Sequence, residues 1–367
     1  MIAYPSYLRQ RGRLLPVFLG LLITGMLPPQ GLYAQQEESP IPVRVIPVEG
    51  QHKVTITAGD RPFTEFLYPD TLEKPVLYPI YAPDGQLVTR GFPFLPRPGE
   101  PVDHPHHKGL WFNYENVNGL DFWNNSYAIA PEKKHLYGWI RTGHVQAQSG
   151  TKKDGGKGIL RYSADWTDQQ RNVLLQEQTT FVFTATADEN IIDRTTILTA
   201  SQDVNFPDAK DGLLGLRVTK ELQIPSNAPG QFVDDKGNIT KVAAGNSPDI
   251  NGNYLTGEGR TGDSAWGTRA TWCMLYGKKG ADTLSIVMID HPSNPGYPTY
   301  WHARGYGLFA ANPLGQKIFS NGKQALNFHL SKGETATFRY RIVIAAGGKR
   351  LSTGRIRQLA DSFALIK

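Results

Sequence analysis

The sequence predicts an all-β protein, a large antiparallel β-sandwich with a short C-terminal helix. Segments in which polar and apolar residues alternate, rich in β-branched and aromatic side chains, recur along most of the chain. A period of two is typical of half-buried strands, and Gly/Asp/Asn-rich turn signals separate these segments. Only one segment has helical periodicity. Many strands with one helix favour stacked antiparallel sheets.

Turn signals separate the fourteen predicted strands. The turns at 82–85, 153–156 and 187–190 contain Asp with Gly or Asn, which favour reversal of the chain. Because 173–185 and 191–200 flank the third turn, they form a predicted hairpin. In chain order the predicted strands are residues 43–48, 53–58, 75–81, 110–114, 136–145, 158–166, 173–185, 191–200, 213–224, 268–276, 283–289, 307–311, 325–330 and 335–345.

Residues 352–366 form the predicted helix. Ser352 is a favourable N-cap. A narrow apolar stripe follows at helical spacing, and we expect it to cover an edge of the sandwich rather than to line a site. The stripe consists of Ile356, Leu359, Phe363 and Ile366.

Residues 1–34 are predicted to be a cleavable signal peptide, because three arginines precede a short apolar run at 14–27. The remainder, 35–367, is predicted to be a single β-sandwich domain. Within it, residues 225–265 are rich in Pro, Gly, Asn and Asp without periodicity, which predicts a long irregular loop. Because of the predicted signal peptide, we expect a periplasmic or extracellular protein. A lipid anchor is not expected, because the only cysteine, Cys273, lies far from the leader.

The charge of the chain indicates neither nucleic-acid binding nor membrane association after removal of the leader. The formal net charge is +6 and falls to +3 without the leader, which carries three arginines and no acid. No run of Lys or Arg forms a nucleic-acid patch. A single cysteine excludes an intrachain disulfide, so stability must come from the core.

Residues 103–123 form the densest group of chemically active side chains. Imidazoles transfer protons near neutral pH or bind metals, and nearby tryptophans offer flat apolar faces for a sugar ring. In an extended segment His104 and His106 share one face and His107 points to the other, so two of the three can converge. The group comprises Asp103, His104, His106, His107, Trp111, Asp121 and Trp123.

A second polar segment, residues 290–306, follows an apolar strand. Three prolines stiffen it before a Trp-His-Ala-Arg motif at 301–304, and such a loop suits pre-organised recognition. We expect this segment to meet the first one at the same end of the sheets. An alternative is that Asp290 and Arg304 form a structural pair at the rim of a sheet. The candidate site residues are Asp290, His291, Trp301, His302 and Arg304.

Several short motifs together resemble a family of secreted bacterial proteins known as "methane oxygenase PmoA" or as a domain of unknown function. The resemblance covers about 54–345. Its specific motifs are Asp-His-Pro-His-His-Lys-Gly-Leu-Trp-Phe at 103–112, Asn-Gly-Leu-Asp-Phe-Trp at 118–123, His-Ala-Arg at 302–304 and Ala-Asn-Pro at 311–313. The β-rich pattern is also similar to the galactose-mutarotase-like supersandwich, a fold that many carbohydrate-active proteins share.

The leading functional hypothesis is a carbohydrate-active enzyme with epimerase, lyase or hydrolase chemistry, whose ligand is a small molecule or an oligosaccharide. We expect a sugar ring to stack on Trp111, Trp123 or Trp301, with Arg269 and Arg304 binding its oxygens. The candidate acid–base residues are His106, His107 and His302, with Asp121 or Asp290 as the orienting or opposing group. His104 and His291 are further candidate substrate contacts.

Two alternatives belong to other functional classes. A non-catalytic glycan-binding module needs the aromatic side chains but not the histidines. A metal-dependent oxidoreductase, which the family label implies, needs three or four converging ligands. Because Pro105 and Pro292 stiffen the backbone beside the histidines, we expect no resident cofactor and less than one tightly bound transition metal per chain. The candidate ligands are His106, His107, His291, His302 and Asp290.

Overall fold

Alternation of buried and exposed residues along the strands builds two large antiparallel sheets, each of eight strands. The structure, a computed structural model, describes residues 40–367 apart from 227–229, 234–238 and 243–247. Residues 38–367 form one compact unit. The predicted signal peptide lies outside the described residues. No helix in the described part of the chain has the length and apolar character to cross a membrane.

The first sheet has the spatial order β1-β2-β3-β4-β5-β11-β18-β17. Its strands are β1 (Val43–Val48), β2 (Lys53–Ala58), β3 (Arg61–Leu67), β4 (Val76–Ile80), β5 (Leu110–Tyr114), β11 (Gly212–Arg217), β17 (Tyr300–Ala303) and β18 (Leu308–Asn312). Strands from the two ends of the chain therefore share one sheet, and this brings the two polar segments predicted above towards each other.

The second sheet has the order β14-β15-β16-β20-β9-β8-β7-β6. Its strands are β6 (Trp139–Gln148), β7 (Gly158–Thr167), β8 (Val173–Ala185), β9 (Glu189–Ala200), β14 (Asn253–Thr256), β15 (Trp272–Lys279), β16 (Asp282–Asp290) and β20 (Thr335–Gly347). Two small pairs complete the strands: β10 (Val204–Phe206) with β19 (Phe328–Leu330), and β12 (Gly230–Val233) with β13 (Ile239–Val242). The helices are α1 (Gln316–Phe319) and α2 (Thr353–Ala364).

The main core lies between the two sheets. Phe66 of β3 lies 4.8 Å from the ring of Tyr162 in β7, and Phe63 lies 5.5 Å from Phe183 in β8. All four side chains are buried, and full burial of such a side chain contributes roughly 1.5–3 kcal/mol to the free energy of unfolding. This packing confirms the predicted fold class, a large antiparallel β-sandwich with a short C-terminal helix.

Helix α2 covers the outer face of the second sheet. Its N-cap is Ser352, whose hydroxyl accepts a hydrogen bond from the backbone N–H of Arg355 at 3.2 Å. Ile356, Leu359 and Phe363 of the predicted stripe pack on a second apolar cluster, in which Met274, Val287 and Val343 come from three adjacent strands. Ile366 lies beyond the end of the helix and is exposed. The helix therefore lies on a face of the sandwich, so the prediction that it covers an edge was wrong.

Two other expectations were wrong for identifiable reasons. Strand β3 was missed because Pro62 lies in it, and proline is rare inside sheets. Pro62 pairs with Thr57 next to a register shift of β2, where an irregular ladder tolerates the N–H that proline lacks. The segment 225–265 is not one irregular loop, because β12, β13 and β14 lie in it. Strand β14 pairs with β15 and extends the second sheet.

Candidate functional site

Four residues form one row across the outer face of the first sheet, the face turned away from the main core. Trp111 of β5 pairs with Gly215 of β11. Ala310 of β18 pairs with Gly215 on one side and with His302 of β17 on the other. Since neighbouring strands lie about 4.8 Å apart, the row spans about 14 Å. The histidine-rich segment, which leads into β5, therefore lies on the same face as His302.

The loop before β5 is a tight turn with an unusual backbone. The N–H of His107 donates to the carbonyl of His104 at 3.0 Å, and His104 has a φ of 47°. Positive φ is uncommon for residues other than glycine, and strained residues of this kind cluster at functional sites. Gly109, at φ 60°, approaches the backbone so closely that a Cβ would lie 2.2 Å from the carbonyl oxygen of Leu77.

Two fully buried arginines donate hydrogen bonds to this loop. Arg90 of the preceding loop and Arg217 of β11 each donate to the same oxygen, Oδ1 of Asp103, at 2.7 Å. Burial opposes ionisation of Asp103, but the hydrogen bond from His104 and the charges of Arg217 and Arg90 outweigh it. They hold the pKa of Asp103 well below its usual range. Arg217 also donates to Nδ1 of His107 at 3.0 Å, so the proton of that neutral imidazole lies on Nε2.

A stack of flat groups covers the arginines. The ring of His104 lies 4.8 Å from that of His107 and 5.2 Å from that of Tyr306, within 3° of parallel in both cases. The guanidinium of Arg217 lies 4.8 Å from the Tyr306 ring centre, and that of Arg304 lies 5.6 Å from it. Tyr306 thus joins the second polar segment to the first. It was not predicted, although it ends the 290–306 segment.

His106 is the half-buried imidazole of the group. Its ring lies 4.3 Å from that of His107 and edge-on to it. Burial, and then the positive charge of Lys74, hold the pKa of His106 well below its ordinary value. His106 is therefore neutral at pH 7, so one of its ring nitrogens donates a hydrogen bond and the other accepts one.

Lys74 is a buried cation that sequence patterns did not single out. Its ammonium donates to the carbonyl of Trp123 at 3.0 Å and lies 5.4 Å from the ring centre of Trp111. Burial, and then the charge of Lys108, lower the pKa of Lys74 to about 7. Lys108 is itself buried and paired with Glu73. A lysine whose pKa is near neutrality, and whose charge acts on the imidazole of His106, is a proton-transfer candidate.

Asp121 lies beside this cation, in the loop that follows β5. Its two carboxylate oxygens accept from the backbone and side-chain nitrogens of Asn124, at 2.9 and 2.8 Å. Burial raises the pKa of Asp121, and the charge of Lys74 lowers it. Asp121 therefore remains near the site, but its oxygens already hold hydrogen bonds from one neighbour.

His302 and Asp211 occupy the other end of the row. Nδ1 of the buried His302 lies 3.3 Å from Oδ1 of Asp211, which precedes β11. Burial lowers the pKa of His302 to about 3. Burial, and then the charge of Glu115, raise the pKa of Asp211 to about 6. A carboxyl group with this pKa can give or take a proton near neutrality, and Asp211 was missed because it stands alone in the sequence.

The three tryptophans predicted to stack on a sugar are fully buried, so that prediction was wrong. Trp111 and Trp123 fold over Gly215, where a Cβ would lie 2.5 and 2.7 Å from their rings. Trp301 faces the main core and donates to the carbonyl of Ala270 at 3.0 Å. Their large apolar surface is used for packing rather than for a ligand.

The second polar segment divides between two places. His291 packs edge-on against Phe363 of α2 at 5.1 Å, on the outer face of the second sheet. His302 and Arg304 lie on the face of the first sheet. The 302–306 part of the segment therefore meets the first segment as expected, with Tyr306 stacked on His104, whereas His291 does not, because β16 and β17 belong to different sheets.

Asp290 and Arg269 hold the proline-rich loop in place. Asp290 is buried and accepts from the side chain of Asn294 and the backbone N–H of Thr299, both at 2.7 Å. Burial raises its pKa to about 7. Arg269 donates to three backbone carbonyls, those of Gly296, Tyr297 and Pro298. The alternative pair of Asp290 with Arg304 does not form.

Within the described ranges, no three His, Cys, Asp or Glu side chains are grouped as metal ligands would be. The set of ligands considered for an oxidoreductase is therefore not brought together. His291 lies on the α2 side, and His107 already accepts from Arg217.

Comparisons with known proteins identify a family but no activity. A family model described as "Family of unknown function (DUF6807)" matches residues 53–361. No curated protein matches the chain. The family that matches has no assigned function, and the resemblance to the PmoA-type family is not supported by this match.

Solved structures show a distant similarity. The α-galactosidase AgaB of Geobacillus stearothermophilus is 10% identical with a TM-score of 0.39, over 83% of this chain and 41% of its own. A candidate aldose 1-epimerase of Escherichia coli K12 is 11% identical with a TM-score of 0.34, over 84% of this chain and 99% of its own. This chain thus spans about two fifths of the galactosidase. Since both TM-scores lie below 0.5, the similarity assigns neither a reaction nor a substrate.

Proposed function

The chain belongs to the family of unknown function DUF6807, and on that premise we propose that it is an exported carbohydrate-active enzyme whose active site is the outer face of the first sheet. The observation that carries the proposal is the half-buried, neutral imidazole of His106 between the buried cation Lys74 and the His107–Arg217 pair. Proton-transfer groups held in a fixed, partly desolvated arrangement are what acid–base catalysis needs.

His106 is the proposed proton acceptor or donor, and Asp211 is the proposed opposing group. The pKa of His106 is well below its ordinary value, whereas that of Asp211 is raised to about 6. They lie at opposite ends of the row described above, and titratable groups of one site whose pKa values are pushed in opposite directions are typical of acid–base assignments. His107 has the role of a positioning residue, because Arg217 fixes its tautomer and its ring supports His104.

Hydrogen bonding rather than stacking is the proposed means of sugar recognition. The tryptophans are buried, and the ring of Tyr306 is already in contact with His104 and two arginines. The groups that remain half-buried offer both donors and acceptors, which suits hydroxyl groups. They are the His106 imidazole, the Tyr306 hydroxyl and the Arg304 guanidinium.

The test is a screen of the purified chain for turnover of monosaccharides and oligosaccharides, followed by NMR of the sugar. With the substrate that is found, His106→Ala should lower kcat/KM by about 10²- to 10⁴-fold, with an unchanged melting temperature. His329→Ala removes an exposed imidazole on β19 and should change neither quantity. Full activity of His106→Ala, or no binding and no turnover of any sugar, would contradict the proposal.

A metal-dependent oxidoreductase is the rival function, and metal content distinguishes the two. Elemental analysis of dialysed protein should find less than one transition metal per chain. Stoichiometric zinc, copper or iron that is lost in His106→Ala would favour the oxidoreductase instead.

A further inference from the structure

A cavity elsewhere on the molecule shares no lining residue with the site around His106. Its volume is about 1030 Å³, and it lies at the turn between β15 and β16, beside the end of β20. A volume of this order matches ligand pockets for molecules of several rings. Its lining residues include Glu221, Tyr276, Lys278, Lys279, Lys349 and Arg350.

The lining carries an excess of positive charge. Lys279 is paired with Glu221 at 3.0 Å, and Asp249, another lining residue, lies 3.8 Å from Lys220. Within the part of the chain that the structure describes, Lys278, Lys349 and Arg350 have no ion pair. These three exposed cations therefore face the cavity without an anionic partner from the described residues.

One of the three cations lies in a strand, and the other two follow the end of another strand. Lys278 of β15 pairs with Thr283 of β16, which pairs with Gly347 of β20, so a single strand separates Lys278 from the end of β20, which leads into Lys349 and Arg350. The guanidinium of Arg350 lies 5.2 Å from the ring centre of Tyr276. Stacking on an aromatic ring orients a guanidinium and leaves its N–H edge free for a carboxylate.

We propose that this cavity binds an acidic oligosaccharide through its carboxylate or sulfate groups. Three cations in a concave site suit a short chain with one anionic group per sugar. They are fewer than the six to ten contacts that make nucleic-acid binding tight. Among the described lining residues, Tyr276 and Pro248 are the only large apolar ones, which does not favour insertion into a membrane. This binding holds whether or not His106 catalyses a reaction.

The experiment compares the full chain with a triple variant, Lys278→Gln/Lys349→Gln/Arg350→Gln, by isothermal titration calorimetry. The probes are trigalacturonate, a chondroitin sulfate tetrasaccharide and the neutral maltotriose. The matched control, Lys133→Gln/Lys152→Gln/Lys153→Gln, removes the same charge from exposed residues elsewhere. We expect at least one acidic probe to bind, a loss of at least tenfold in affinity in the triple variant, and no change in the control or in either melting temperature.

Three results would overturn the proposal. The first is that neither acidic probe binds, or that maltotriose binds equally well. The second is an equal loss of affinity in the control variant, which would mean that net charge alone attracts the probes. The third is binding of phosphatidylglycerol vesicles, sensitive to the triple variant, without binding of either oligosaccharide.

Discussion

Gly215 leaves room for two tryptophans on the first sheet beneath the histidines. A Cβ at this position would lie 2.5 Å from Trp111 and 2.7 Å from Trp123, and both rings are fully buried. Gly215→Ala should therefore lower the free energy of unfolding by about 1–3 kcal/mol through overpacking. Urea denaturation measures this change. Gly348→Ala is the control, since a Cβ there meets nothing within 4 Å; equal stability of the two variants would contradict the prediction.

The pH dependence of stability should report the burial of Lys74. Burial, and then the charge of Lys108, lower its pKa from 10.5 to about 7. Between these values the unfolded chain binds this proton and the folded chain does not. The contribution of Lys74 to stability therefore rises with pH across that window and is smallest below pH 7. Lys74→Met removes this dependence.

Urea denaturation at pH 7, 8.5 and 10 tests this expectation. The free energy of unfolding of Lys74→Met, relative to the unmodified chain, should fall as the pH rises, by at most about 1.4 kcal/mol per pH unit. Lys152→Met, at an exposed lysine, should show no such trend. A pH-independent difference for Lys74→Met would mean that its pKa is not lowered.

Three neighbouring strands of the second sheet place two charged groups and a hydroxyl inside the main core. Arg194 of β9 donates to Oε1 of Glu177 in β8 at 2.8 Å, and the hydroxyl of Tyr162 in β7 donates to the same oxygen at 2.6 Å. The guanidinium also lies 4.6 Å from the ring centre of Phe112, which comes from the first sheet. A buried pair of this kind fixes the alignment of strands when both partners are present.

Removing one partner of this pair should lower the free energy of unfolding far more than removing both. Arg194→Met leaves Glu177 buried without its cation, and should cost about 3–5 kcal/mol of unfolding free energy. The double variant Arg194→Met/Glu177→Leu should recover most of that loss. Lys53→Met breaks a half-exposed pair with Glu65 and should cost at most about 1 kcal/mol. A double-mutant cycle by chemical denaturation checks all three; strict additivity would contradict the coupling.

The sequence predicts the strands of this molecule better than its site. Strands β1, β2, β5 and β8 have the predicted bounds, because alternation is a local property. The site depends on sheet order: β11 lies between β5 and β18, so Arg217 and Tyr306 reach the histidine loop from remote parts of the chain. No local pattern encodes that order. Nor does any local pattern distinguish a tryptophan that packs in the protein, such as Trp111, from one that stacks on a ligand.

The sandwich as a whole separates its two outer faces, and this gives the final prediction. His291 packs against Phe363 on the α2 side of the second sheet, whereas Tyr306 lies in the histidine stack of the first. With the sugar found by the screen, Tyr306→Phe should therefore lower kcat/KM, by about tenfold for a lost hydrogen bond of roughly 1.4 kcal/mol, at an unchanged melting temperature. His291→Ala should lower the melting temperature and leave kcat/KM unchanged. If His291→Ala lowered kcat/KM as much as Tyr306→Phe, the catalytic face would have to include the α2 side of the molecule.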